Sequence, residues 1–168
     1  MIIQLRIDDR LIHGQVALVW SKELGTPGII VANDQAAVNN TVKMTLKMAC
    51  PPGIKLIVKS VDDAVGIIQD PRAEKMRIFA LTRNVKDALK LVKSCKENIC
   101  EVNLANAGKF DSDMGEKINF PGNRVSLTPS ELEAAKELAA IMGDQFFSQL
   151  IPTTPKVTVS KLIQSLEK

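Results

Sequence analysis

Along this chain, short runs of apolar residues alternate with stretches whose apolar positions recur every three or four residues. Strands buried on both faces read as continuous apolar runs, whereas a helix packed on one side repeats with a period near 3.6, so the alternation predicts a parallel sheet flanked by helices. Five runs rich in Ile, Val or Leu fit strands: Ile2 to Ile7, Gly28 to Ala32, Lys55 to Lys59, Met76 to Leu81 and Ile99 to Leu104. Weaker candidates lie at Arg124 to Leu127 and Gln145 to Ile151.

The helical stretches carry start signals, because a side chain accepting from free amides stabilises a first turn. Ser60 with Asp63, Asn84 with Asp87, and Thr128 with Glu131 have that spacing. After Thr128, Pro129 suits the first turn, Leu132, Ala135, Leu138 and Ile141 recur on one face, and Gly143 is expected to end the helix in a left-handed conformation. Two earlier helices are expected from His13 or Gly14 to Lys22 and from Asn40 to Ala49, where Pro51 and Pro52 stop the second. Asp111 to Gly122 is polar and without pattern, and reads as the longest loop. With no repeat, linker or low-complexity tract, residues 1–168 read as one doubly wound α/β domain with helices on both faces of a mainly parallel sheet.

Composition narrows the function. At 168 residues and 45% apolar content the chain can bury one substantial core. It shows neither a signal-peptide pattern nor a spanning apolar run, so a cytoplasmic protein is expected. A net charge of +3 spread along the chain, with one Trp and no Tyr, gives nucleic-acid binding little support. Cys50, Cys95 and Cys100 cannot build a convincing zinc site with a single histidine, and are expected to be reduced structural residues.

In open parallel sheets ligands bind beyond the carboxyl ends of the strands. After the first strand that position holds Asp8-Asp9-Arg10-Leu11-Ile12-His13-Gly14-Gln15, with the only histidine of the chain at a helix start. An imidazole is a nucleophile near neutral pH, a guanidinium binds phosphate oxygens bidentately, and amides at a helix start favour anions. These parts fit phosphoryl chemistry on His13 with Arg10 as the phosphate-binding group, and call for no metal or cofactor. The absence of a Gly-x-x-x-x-Gly-Lys-Ser/Thr loop and of Gly-x-Gly-x-x-Gly argues against a nucleotide as direct donor. On spacing alone His13 also fits a hydrogen-bonded structural residue, and Arg10 an ion pair with Asp8 or Asp9.

The stretch Arg6-Ile7-Asp8-Asp9-Arg10-Leu11-Ile12-His13-Gly14-Gln15-Val16, with Trp20 following, resembles the active-site signature of the mannose/fructose/sorbose-family enzyme IIB of the sugar phosphotransferase system. The resemblance continues through Ile29 to Ala37, Pro51 to Lys55 and Val102 to Leu104. It implies a mainly parallel sheet of about seven strands between helices. It also implies a phosphotransferase working through a phosphohistidine: His13 takes a phosphoryl group from the IIA subunit and delivers it to a sugar imported through the membrane subunits IIC and IID. The protein would then sit at the inner face of the membrane through IIC/IID.

By the same resemblance Arg10 would stabilise the phosphoryl group, amides around His13 and Gly14 would cradle it, and Asp34 would form a wall of the pocket or else cap the following helix. Where the family often has Asn followed by a glycine-containing turn after Asn103, this chain has Ala105-Asn106-Ala107-Gly108, which leaves that loop's conformation open, as are the sugar and the oligomeric state, a homo-oligomer included. Two rivals remain: a receiver-type regulatory domain, with Asp8 and Asp9 holding magnesium and Asp62 or Asp63 accepting phosphate, and a ligand-binding module without transfer. Because His13 must meet two proteins in turn, exposed apolar residues are expected around it, with Leu11, Ile12 and Val16 as candidates unless all three are core. Lys22, Lys43 and Lys47 are the expected steering charges.

Overall fold

The structure is a computed structural model that describes residues 1–110 and 115–167, with Gln15 and Val16 described by their backbone alone. The first four residues of the expected long loop, 111–114, therefore lie outside the described residues. The strands are β1 (Ile2–Asp8), β2 (Gly28–Ala32), β3 (Lys55–Lys59), β4 (Ile78–Thr82), β5 (Val102–Asn106), β6 (Ile118–Asn119), β7 (Ser126–Leu127), β8 (Phe146–Ser148) and β9 (Val157–Thr158). The helices are α1 (Gly14–Leu24), α2 (Asp34–Val38), α3 (Asn40–Ala49), α4 (Val61–Gln69), α5 (Val85–Cys95), α6 (Pro129–Met142) and α7 (Val159–Leu166).

Seven strands form one sheet in the order β3-β2-β4-β1-β5-β8-β9, parallel throughout except for β9, which runs against β8. The remaining pair, β6 and β7, is a small antiparallel ribbon. The expected sheet of about seven strands is thus present, although two members differ from the expectation. The Arg124 to Leu127 segment supplies β7 of the ribbon, and β9 with α7 was not anticipated. Side chains capping α7 through Thr158, which accepts from the Lys161 amide at 3.4 Å, carry the same signal as the helices that were read.

Each face of the sheet is covered by its own apolar layer. Leu11, Ile12, Ala17, Trp20, Leu24 and Leu46 pack with Ile29, Val31, Phe79 and Leu81 on the side of α1 to α3. Residues of α4 to α7, among them Ala64, Leu91, Leu138 and Ile163, pack with Leu5, Ile7, Ile30 and Leu104 on the other. The anticipated caps are made: Ser60 accepts from the amide of Asp63, Asn84 from Asp87 and Thr128 from Glu131. At the end of α6, Gly143 has φ 57° and ψ −131°, a region reserved for glycine but distinct from the left-handed helical one expected.

The order of the strands decides where the site lies. β1 is central, between β4 and β5, so its carboxyl end opens between connections leaving in opposite directions along the sheet. That is the crevice where open α/β sheets bind ligands.

Candidate functional site

Strand alternation puts Gln4, Arg6 and Asp8 on the same face of β1, and all three side chains are buried. A buried charge needs a partner. Arg6 donates from Nε to Asp8 Oδ2 at 3.3 Å and from Nη1 to the Leu150 carbonyl at 3.5 Å, with its guanidinium 5.8 Å from the centre of the Trp20 ring. Its Nη2 also lies 3.3 Å from Asp8 Oδ2 but makes no hydrogen bond. Burial pushes the Arg6 guanidinium below its usual value, Asp8 opposes that shift, and the nearby charges of Arg124 and Arg10 add to it.

Asp8, with no exposed surface, is the centre of the site. Its Oδ2 lies 2.8 Å from His13 Nε2 and accepts from Asn106 Nδ2 at 3.2 Å, while its Oδ1 accepts from the Arg10 amide at 3.1 Å. One carboxylate thereby fixes the end of β1, the imidazole, and the end of β5.

The turn between Asp8 and His13 is closed by the Leu11 amide donating to the Asp8 carbonyl at 2.9 Å, with Leu11 at φ 58°. A left-handed leucine costs about 1 kcal/mol or more. Here the turn sends both Leu11 and Ile12 into the core, at 2% and 4% exposure. The expected exposed apolar rim of Leu11 and Ile12 is therefore corrected: both are core residues, and the side chain of Val16 lies outside what is described. The exposed apolar side chain that does stand at this loop is Phe110, 62% exposed, with the Arg10 guanidinium 4.7 Å from its ring centre.

His13 is the residue before α1 and makes no side-chain cap bond to it, and the first turn of α1 carries no acidic residue. The amides of that turn are free of a side-chain acceptor from His13, and they favour an anion beside the imidazole. Gly14 at φ 49° begins the helix in a conformation that L side chains rarely adopt. Among the described residues Arg10 makes no ion pair, so its guanidinium is not consumed by Asp8 or Asp9.

Asp9 has another task. Its Oδ2 accepts from the amides of Lys109 and Phe110, both at 2.9 Å, and ties the segment after β5 to the His13 loop. That segment turns at Gly108, φ 78°, and its form answers the question left open by Ala105-Asn106-Ala107-Gly108: one glycine suffices for the turn. Asn103, by contrast, is structural. It donates to Gln4 and to the Gln149 carbonyl and accepts from the Gln149 amide.

Asp34 is exposed at the start of α2, and its Oδ1 accepts from the amide of Val61 at 2.9 Å, at the start of α4. It is Asn33 that caps α2, accepting from Ala36. None of the bonds described for Asp34 reaches His13 or Arg10. Lys22, expected to steer a partner, lies eight residues beyond Gly14, which at 1.5 Å per residue places it about 12 Å along α1 from the site. The receiver alternative fits poorly, since Asp8 and Asp9 are engaged as described, Asp63 belongs to the capped start of α4, and Asp62 pairs with Lys90 at 2.6 Å.

His13, Arg10 and Gly14 are legible in the sequence as candidates, whereas Arg6, Asn106 and Phe110 are not, and Asp8 is legible there without its task. Alternating Gln4, Arg6 and Asp8 in a strand otherwise fit for the core was the signal available for Arg6. Among the described residues no helix is long and apolar enough to cross a membrane.

Comparison with known proteins places this geometry in context. A family model described as the PTS system sorbose subfamily IIB component matches residues 2–168. The chain is 46% identical over 164 residues to a probable phosphotransferase enzyme IIB component of Streptococcus pyogenes serotype M6, covering 97% of this chain and 99% of that protein. It is 34% identical over 170 residues to the mannose-specific EIIAB component of Escherichia coli K12, of which it spans 50%. The crystal structure of the IIBSor domain of the Klebsiella pneumoniae sorbose permease is similar with a TM-score of 0.86, at 31% identity over 98% of each chain.

Proposed function

This chain belongs to the sorbose-subfamily IIB components of the phosphotransferase system, and on that premise we propose that it carries a phosphoryl group on Nδ1 of His13, taken from an enzyme IIA and passed to a sugar imported through IIC/IID membrane subunits. The observation that carries this reading is the 2.8 Å contact between His13 Nε2 and Asp8 Oδ2. A carboxylate accepts only from a protonated nitrogen, so in the neutral imidazole the hydrogen sits on Nε2 and Nδ1 keeps its lone pair.

In the first step the Nδ1 lone pair attacks the donor's phosphorus, the bond from phosphorus to the donor breaks, and its electron pair leaves with the donor. The ring of His13 is then a phosphoimidazolium, whose positive charge lies against Asp8. Phosphoryl oxygens meet the Arg10 guanidinium and the amides at the start of α1, including that of Gly14. In the second step a sugar hydroxyl oxygen attacks phosphorus, its proton leaves to solvent, and the electron pair of the P–N bond returns to Nδ1. Each half needs the same in-line approach, which suits an imidazole fixed by a buried carboxylate. Asp34 has no part in this proposal, because its carboxylate serves the amide of Val61. The subunit works at the cytoplasmic face of the membrane, where IIC/IID hold the sugar.

Incubation with the general phosphocarriers and a cognate IIA tests the acceptor. The expected label is acid-labile and base-stable and is absent in His13→Ala. A base-labile label that persists in His13→Ala would assign the phosphate to an aspartate instead.

A further inference from the structure

We infer that Phe110 is a positioning residue for phosphoryl transfer, holding the Arg10 guanidinium in place through the face of its ring; the inference rests on His13 and Arg10 acting as proposed above. The Phe110 ring is 62% exposed, and the Arg10 guanidinium lies over it, 4.7 Å from its centre. No other side chain among the described residues holds Arg10. Each end of the contact is anchored by a buried carboxylate, the Arg10 amide by Asp8 Oδ1 at 3.1 Å and the Phe110 amide by Asp9. Asp9 precedes Arg10 in the chain, and its Oδ2 takes the amides of Lys109 and Phe110 at 2.9 Å each, from residues about a hundred positions away in sequence. Asp9 itself is 4% exposed, so this bracket is rigid where the guanidinium alone would be a freely rotating surface side chain.

A cation over an aromatic face at an exposed site biases the side-chain population about two- to fivefold, and more once a docked partner removes water. A planar guanidinium held over a ring can still offer N–H donors to phosphate oxygens in a fork, which an ammonium could not do. Asp9 is thus given a structural reason to follow Asp8: one carboxylate orients the nucleophile, the next orients the cation.

The test compares phosphorylation of His13 by a cognate IIA in Phe110→Leu, Phe110→Trp and an Arg10→Met background, with the donor varied to separate kcat from KM. Phe110→Leu should lower kcat about threefold or more at unchanged melting temperature, Phe110→Trp should restore it, and Phe110→Leu should be without effect once Arg10 is methionine. NMR of the free protein gives a second readout that does not depend on transfer: ring-current shifts on the Arg10 side-chain protons, lost in Phe110→Leu. Unshifted Arg10 protons in the parent protein, an unchanged kcat in Phe110→Leu, or the same loss in the Arg10→Met background would overturn the inference. A parent protein that shows the ring-current shifts but takes no label on His13 would instead refute the proposed function, and with it the use assigned to the stack.

Discussion

Asp8 Oδ2 stands 2.8 Å from His13 Nε2 and 3.3 Å from Arg6 Nε, so one buried oxygen faces the His13 imidazole on one side and a buried cation on the other. Replacing it by a neutral group leaves Arg6 buried without its counter-charge. Removing one partner of such a pair costs about 3–5 kcal/mol. Asp8→Asn should therefore lose stability of that order in denaturant titrations, and transfer should fall about a hundredfold or more in the fraction that remains folded, because the imidazole loses its orienting acceptor.

The turn after β5 depends on Gly108. A Cβ built there would lie 1.7 Å from the Ser126 carbonyl oxygen and 2.8 Å from its carbon, on backbone at φ 78°. Backbone atoms cannot move aside as a flexible side chain can. Gly108→Ala should cost about 2 kcal/mol or more and also weaken transfer, since Asn106 and Phe110 flank the turn. Thermal unfolding together with a transfer assay checks both parts.

A pH effect follows from Asp87 near the start of α5. Its carboxyl is raised to about 6 by burial first, then by the neighbouring charges of Asp34 and Glu131. The folded state thus holds this proton more tightly than the unfolded chain does. Its contribution is fully present below about pH 4 and is lost as pH rises through about 6. Because the side chain is partly exposed, about 1–2 kcal/mol is the scale expected after allowance for screening. Asp87→Asn should match the parent protein in stability near pH 4 and exceed it by that amount at pH 7, measured by denaturant titration at each pH.

Charge steering is expected to act through the residues that the fold brings to the His13 loop, with Lys109 pinned there by Asp9. Transfer from IIA should slow as salt rises, mainly through association. Lys109→Glu should slow it several-fold at low salt while Lys22→Glu, at the far end of α1, leaves it unchanged. Stopped-flow rates over a salt titration provide the check.

Much of this was legible in the chain. The five strong strands and the helix starts at Ser60, Asn84 and Thr128 were readable because burial on both faces and side-chain capping leave local marks. His13, Arg10 and Gly14 stood out because they are near neighbours after the first strand. What could not be read is what β-pairing brings from afar. Asn106 and Phe110 reach the site only through the pairing of β1 with β5, in which Asp8 lies beside Asn106. Helical periodicity leaves open whether Leu11 and Ile12 face inward, because it does not register the left-handed Leu11, whose turn buries both. At the carboxyl end, β9 is two residues long and α7 eight, too short for periodicity to stand out.

The nitrogen of His13 that takes the phosphoryl group is the most direct test of the relay. Nitrogen-15 NMR of histidine-labelled protein, phosphorylated through its IIA, reads this from a single ring, since His13 is the only histidine. The expected spectrum shows phosphorus coupled to Nδ1 and a hydrogen retained on Nε2, facing Asp8. Coupling to Nε2, or a fully phosphorylated protein with an unaltered imidazole spectrum, would contradict it.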